Sequence, residues 1–211
     1  MKLFSYMIIL LVTINTAFSE NKGNMSQAAD AISLREYDKA VNLYSETVNI
    51  NPKYAPAHYG KALALSYLKK FKEAAVSYSE AIKYEPKNIS SYYGRGLCYT
   101  RIADYQSALS DLNKVLSLDS NQANYYYARG LVHYYLGNNL AAFYDFNKSI
   151  KLDPNDGASY YARATINRLT KKNDDAKADF LKYIDLNKNR DGLMSEAQRV
   201  IKDIEQEQIE D

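Results

Sequence analysis

The stretch Ala123–Asp156, ANYYYARGLVHYYLGNNLAAFYDFNKSIKLDPND, recurs at intervals of 34 residues in both directions. Asp153-Pro154 steps back to Asp119-Ser120, Glu85-Pro86 and Asn51-Pro52, and forward to Asn187-Lys188. Gly130 steps to Gly96, Ala62 and Ala28, and to Ala164; Ala142 steps to Ala108, Ala74 and Ala40, and to Ala176. A register held over five copies without insertion marks a repeat array. Within the unit, apolar residues fall three and four apart from Tyr126 to Leu136 and again from Ala141 to Ile150, the period of amphipathic helices. Gly137-Asn138 between them reads as a turn. Asp153-Pro154 ends the second helix, because proline lacks an N–H and restricts its predecessor. Two short antiparallel helices cannot bury their apolar faces alone, so each copy must stack on the next. Gly130 and Ala142 stand where helix axes would cross closely.

This unit resembles the tetratricopeptide repeat. Tyr126 is the large residue four places in and Gly130 the small residue four later, while Ala142, Phe146 and Pro154 match the second half of the pattern. The resemblance covers roughly Glu20 to Arg190. It implies an all-α, right-handed α-solenoid of five tandem helix–turn–helix repeats, at about 21–54, 55–88, 89–122, 123–156 and 157–190. Beyond them Leu193, Ala197, Val200, Ile201 and Ile204 form one apolar stripe, expected of a capping helix within 191–211 that covers the last open face. The first copy keeps Ala28, Ala31, Tyr37, Ala40, Tyr44 and Pro52 but lacks the later tyrosines, as a terminal repeat is expected to.

Residues 1–19 are foreign to the pattern. Lys2 supplies a positive start, Met7–Val12 is an unbroken apolar run, and Ala17-Phe18-Ser19 has the small-x-small form of a cleavage site. This is the layout of a secretory signal peptide, so the mature chain is expected to be exported, periplasmic or secreted, and to start near Glu20. An uncleaved anchor is the alternative, but the apolar run falls short of the roughly 20 residues that span a bilayer. The net charge of +2 comes without any basic block, which argues against nucleic acid as a partner. Cys98 is the single cysteine, so no internal disulfide forms, and it reads as an inert core residue.

Three sets of residues carry the functional reading. Tyr59, Tyr93, Tyr127 and Tyr161 occupy the fifth place of repeats two to five. The resemblance implies that they line a concave groove as a ladder, flanked by Tyr67, Arg101 and Tyr135 at the thirteenth place, with Tyr134 and Arg168 nearby. Aromatic side chains with a polar tip dominate binding hot spots. Tyr92, Tyr126 and Tyr160, one residue earlier, are expected in the core. Second, Arg95, Arg129 and Arg163 appear only in repeats that also carry Asp111, Asp145 and Asp179, which points to structural ion pairs between helices. Third, Asn187 to Gln198 looks somewhat like a calcium loop, but asparagine opens it and glutamine replaces the closing glutamate; a helix stop is the favoured reading. Asn24, Asn88 and Asn147 open glycosylation sequons, which matter only where the source glycosylates.

His58 and His133 stand without ligand or nucleophile spacing, and no catalytic constellation, metal set or cofactor motif is visible. The family's basic clamp for a carboxylate is missing too: methionine or tyrosine stands fifth, and alanine, leucine or threonine ninth. The expectation is a non-enzymatic scaffold that binds a segment of another protein in the groove. Glycan or cell-wall binding through the tyrosines, or a structural subunit of an envelope assembly, are the alternatives.

Overall fold

A computed structural model describes residues 23–187 and 193–210. The signal-like segment and residues 188–192 of the calcium-like loop lie outside them. The described residues form eleven helices and no strand. By their contacts they divide into two units, to Asp104 and from Tyr105. The first holds α1 (23–33), α2 (Tyr37–Ile50), α3 (Ala55–Tyr67), α4 (Phe71–Tyr84) and α5 (Ile89–Arg101). The second holds α6 (Tyr105–Leu118), α7 (Ala123–Tyr135), α8 (Asn139–Leu152), α9 (Gly157–Leu169), α10 (Asn173–Asn187) and α11 (Met194–Glu210).

One turn recurs at the same repeat position five times. Arg35, Lys69, Ala103, Gly137 and Lys171 all take positive φ, between 58° and 75°. The amide that follows each donates to the carbonyl five residues back, as Asn138 does to His133 at 2.9 Å, which closes a Schellman motif. Only Gly137 adopts this conformation freely. The other four accept a cost of roughly 1 kcal/mol each because the motif satisfies the end of the helix. At the far end of the hairpin, proline is not the only stop. Asp119 precedes serine rather than proline, and its carboxylate accepts from the Asn121 amide at 2.9 Å. The resulting turn supplies the stop that the sequence lacks.

Burial follows the stacking. In the first unit, Ala28 and Ala31 of α1 meet Ala40 and Tyr44 of α2 and Ala57 and Ala64 of α3. The next cluster joins α3, α4 and α5 through Leu65, Tyr78 and Cys98. In the second unit, Phe146 of α8 packs with Ile166 of α9, with Tyr127, Leu131 and Tyr134 of α7 alongside. Ala197, Ile201 and Ile204 of α11 are buried against Phe180 and Tyr183 of α10, each isoleucine contributing roughly 2 kcal/mol. Leu193 departs from this apolar stripe and remains 44 % exposed.

Candidate functional site

Tyr127, Leu131 and Tyr134 share one face of α7, and Tyr161 and Thr165 share one face of α9, by the spacing of four and three. These side chains, with Phe146 and Ala162, border a recess of about 370 Å³ that Leu193 and Glu196 at the start of α11 complete. Tyr59, Tyr127 and Tyr161, three of the four tyrosines at the fifth place, each lean on an interior ring. Tyr127 lies 5.9 Å from Phe146, Tyr161 lies 5.4 Å from Phe180 and 5.1 Å from Tyr183, and in the first unit Tyr59 lies 5.8 Å from Tyr78. Tyr93 is likewise half-buried, on α5. These residues combine packing on one edge with exposure on the other.

The thirteenth-place residues differ among themselves. Tyr67 stacks on Tyr37 at 4.8 Å, and Tyr135 on Tyr105 at 5.1 Å, each pair joining one repeat to the start of the preceding second helix. Arg101 is exposed at the end of α5. Arg168, expected beside the groove, bonds Asn173 Oδ1 at 3.0 Å and both carboxylate oxygens of Glu207 on α11. The capping helix takes it as a tether.

Two of the arginine–aspartate sets lie within the second unit and pair there. Arg129 Nε and Nη2 donate to the two Asp145 oxygens at 2.8 and 2.7 Å, and Arg163 meets Asp179 in the same bidentate form at 2.8 and 2.6 Å. Both aspartates are buried. The third guanidinium nitrogen reaches back one repeat: Arg129 Nη1 to Asn113 Oδ1 at 2.9 Å, Arg163 Nη1 to Asn147 Oδ1, and in the first unit Arg95 Nη1 to Ser79 Oγ at 2.9 Å. Arg129 and Arg163 therefore tie neighbouring repeats as well as their own hairpins, and Arg95 ties its repeat to the one before. Asp111 lies in the other unit from Arg95 and is itself buried. The polar residue one repeat back escaped the sequence reading, although Ser79, Asn113 and Asn147 carry the same 34-residue signal.

Tyr92, Tyr126 and Tyr160 are not core residues. They are half-buried, and the guanidinium groups of Arg95, Arg129 and Arg163 lie 5.6–5.8 Å over their rings. A cation that must face both a carboxylate and the preceding repeat needs an aromatic platform rather than a sealed interior. Asp145 and Asp179 also face a second residue at one shared place, His133 at 3.9 Å and Asn167 at 3.2 Å. His133 Nδ1 and Asn167 Oδ1 are buried there without a hydrogen-bond partner. Burial outweighs the attraction of Asp145 and holds the His133 imidazole below the usual histidine value, so it stays neutral at pH 7.

The close crossings are sharper than small residues alone suggest. A Cβ on Gly130 would sit 2.6 Å from the Phe146 ring. On Gly60 or Gly94 it would fall 2.3 or 2.4 Å from the rings of Tyr44 or Tyr78, one repeat back. Burial pushes the Cys98 thiol up, and Ser66 Oγ lies 3.4 Å from it, as befits an inert core residue. Among the sequons, Asn88 caps α5 by accepting from the Ser91 amide at 2.9 Å, and Asn147 holds Arg163. Among the described residues no helix is long and apolar enough to cross a membrane, and no cluster is placed to hold a metal ion.

Profiles described as tetratricopeptide repeat match residues 59–123, 123–156 and 157–190. The last two begin at the first residues of α7 and α9. No curated protein matches the chain. Among solved structures, MamA from Desulfovibrio magneticus RS-1 is similar over 82 % of this chain and 98 % of its own, at 19 % identity and a TM-score of 0.77. YrrB, described as a TPR protein with an unusual peptide-binding site, is similar over 88 % of this chain and 97 % of its own, at 20 % identity and 0.73. A tetratricopeptide repeat protein from Parabacteroides merdae covers 88 % of this chain with 73 % of its own, at 20 % identity and 0.77. At these identities the likeness speaks for the fold, and the repeat profiles speak for the lineage. The chain belongs to the tetratricopeptide-repeat family.

Proposed function

We propose that this chain is a protein–protein interaction scaffold which takes a segment of its partner into the recess lined by Tyr127, Tyr134 and Tyr161. The observation that supports it is the recess itself, a volume of about 370 Å³ walled by aromatic and aliphatic side chains that include the tyrosines of α7 and α9. Such side chains add contact area at low entropic cost. The tyrosines of the recess turn partly into the interior, at tilted or edge-on angles, instead of presenting flat open platforms. That favours a peptide over the face of a sugar ring. YrrB, which shares the fold, is described as having a peptide-binding site, and the reading here is of the same kind. No chemical reaction is assigned.

The test is capture of partners from the source organism's envelope fraction, followed by affinity measurements on purified components. Tyr127→Ala and Tyr161→Ala should each weaken binding about thirtyfold, the usual loss for a central aromatic anchor of about 2 kcal/mol. Tyr144→Ala, largely exposed on α8 and not among the recess walls, should leave affinity nearly unchanged. Unaltered binding by the two folded recess variants would remove the recess as the site. Export is proposed on Lys2, Met7–Val12 and Ala17–Ser19. Mass spectrometry of the native protein should find a start near Glu20, and an intact Met1 would count against it.

A further inference from the structure

We infer that Thr165 sets the specificity of the recess, and that the segment seated there offers an aliphatic side chain, leucine, isoleucine or methionine, with no charge beside it. This rests on the reading of the recess as the partner site, and it adds the class of side chain taken. The ninth place of repeats two to five reads Leu63, Leu97, Leu131 and Thr165. Leu131 and Thr165 both border the recess, so the row of leucines stops inside it. Threonine ends one bond short of leucine. Its hydroxyl is donated to the Tyr161 carbonyl at 3.0 Å, the back-bond of a threonine within a helix. What α9 lacks at this place is the isobutyl end of a leucine, and aromatic and aliphatic walls surround the space left.

The charges around the recess choose no occupant of either sign. Among the described residues that line it, Glu196 alone is charged, and Arg199 lies 3.6 Å from it. Farther along α11, Arg168 holds Glu207, and Lys202 stands beside Asp203 in the chain. A charged side chain entering between Leu131, Phe146 and Leu193 would lose its hydration without gaining a partner. An aromatic one would meet rings already engaged: Tyr127 tilts against Phe146, and Tyr161 stands edge-on to Phe180 and Tyr183. An aliphatic side chain needs no fixed ring geometry, and it fills the place that leucine takes in the three preceding repeats. Burial of apolar surface then drives the contact, so ionic strength has little hold on the affinity.

A library of random twelve-residue peptides displayed on phage, selected on the full mature chain, tests this directly. Enriched peptides should share a leucine, isoleucine or methionine, with neither cations nor anions in excess around it. Tyr161→Ala, checked for folding by circular dichroism, identifies the peptides seated in the recess. For these, Thr165→Leu should lower affinity about tenfold, because the chain's own side chain then takes the space. Leucine recurs at this place in the array and favours helix, so the fold is kept. Thr165→Val keeps the branched shape without the hydroxyl and should leave affinity within about twofold, as should a rise in salt from about 50 to about 500 mM. Recess-bound peptides that anchor through a charged or aromatic residue, tolerate Thr165→Leu, or weaken in Thr165→Val or at high salt would overturn the inference and leave the recess as the binding site. Peptides indifferent to Tyr161→Ala, or no enrichment at all, would overturn both.

Discussion

In the first unit the large side chains at the heart of the stack are Tyr44 and Tyr78, each seated against a glycine of the next repeat, Gly60 and Gly94. In the second unit the equivalent places hold Leu112, Phe146 and Phe180, and the residues corresponding to those glycines are Ala128 and Ala162. A phenol needs room for its hydroxyl, and removing a Cβ one repeat away supplies it. The charges differ in parallel. Lys61 and Ser77 stand in the first unit where the second has Arg129 with Asp145 and Arg163 with Asp179. The α3–α4 hairpin is thus held without a guanidinium bridge, while α7–α8 and α9–α10 each carry a guanidinium–carboxylate pair. One helical geometry tolerates either chemistry, provided that volume and charge are each matched across the junction.

The largest expected contrast lies in those bridges. Arg129→Leu should cost roughly 3 kcal/mol, the lower end for breaking a buried pair, because Asp145 is left sealed while the arginine was itself partly solvated. Lys61→Leu at the same repeat position should change stability by less than about 0.5 kcal/mol. Adding Asp145→Leu to Arg129→Leu should recover much of the loss. Strict additivity in that urea-denaturation cycle would mean that the bridge is not the source of the difference.

The notch is the next test. Gly60→Ala gains up to about 1 kcal/mol of helix propensity, yet its methyl would press on the buried Tyr44 ring and cost roughly 1–3 kcal/mol. The net result should be destabilising. In a Tyr44→Leu background, which copies the leucine and alanine of Leu112 and Ala128, the same change should be neutral or stabilising. Destabilisation of equal size in both backgrounds would break the volume argument.

The smallest effect concerns acid. His133 is held below the usual histidine value by burial, so the unfolded chain takes up that proton first as pH falls. Its contribution to stability should therefore be present above about pH 6.5 and decline below it. His133→Asn copies Asn167 one repeat on, and it should narrow the gap in urea midpoint between pH 7 and pH 5. An unchanged gap would show that His133 has no part in it.

The repeats, the helices and the turns were legible in the amino-acid order because each is local: a 3.6-residue period, a proline or aspartate stop, and a register of 34 held throughout. The pairing of Arg129 with Asp145 was legible as well, since the two types appear and vanish together. What the order of residues did not determine was the direction in which a side chain spends its contacts. Tyr126 and Tyr127 are adjacent and identical in chemistry, yet one lies under a guanidinium and the other against Phe146 beside the recess. Arg168 sits where a groove residue is expected, but α11 arrives with Glu207 and claims it. Gly60 and Gly94 match Tyr44 and Tyr78 only across a junction between repeats. Those outcomes depend on the angle and depth at which helices meet, and packing of the whole stack decides these, because every helix must satisfy two neighbours at once.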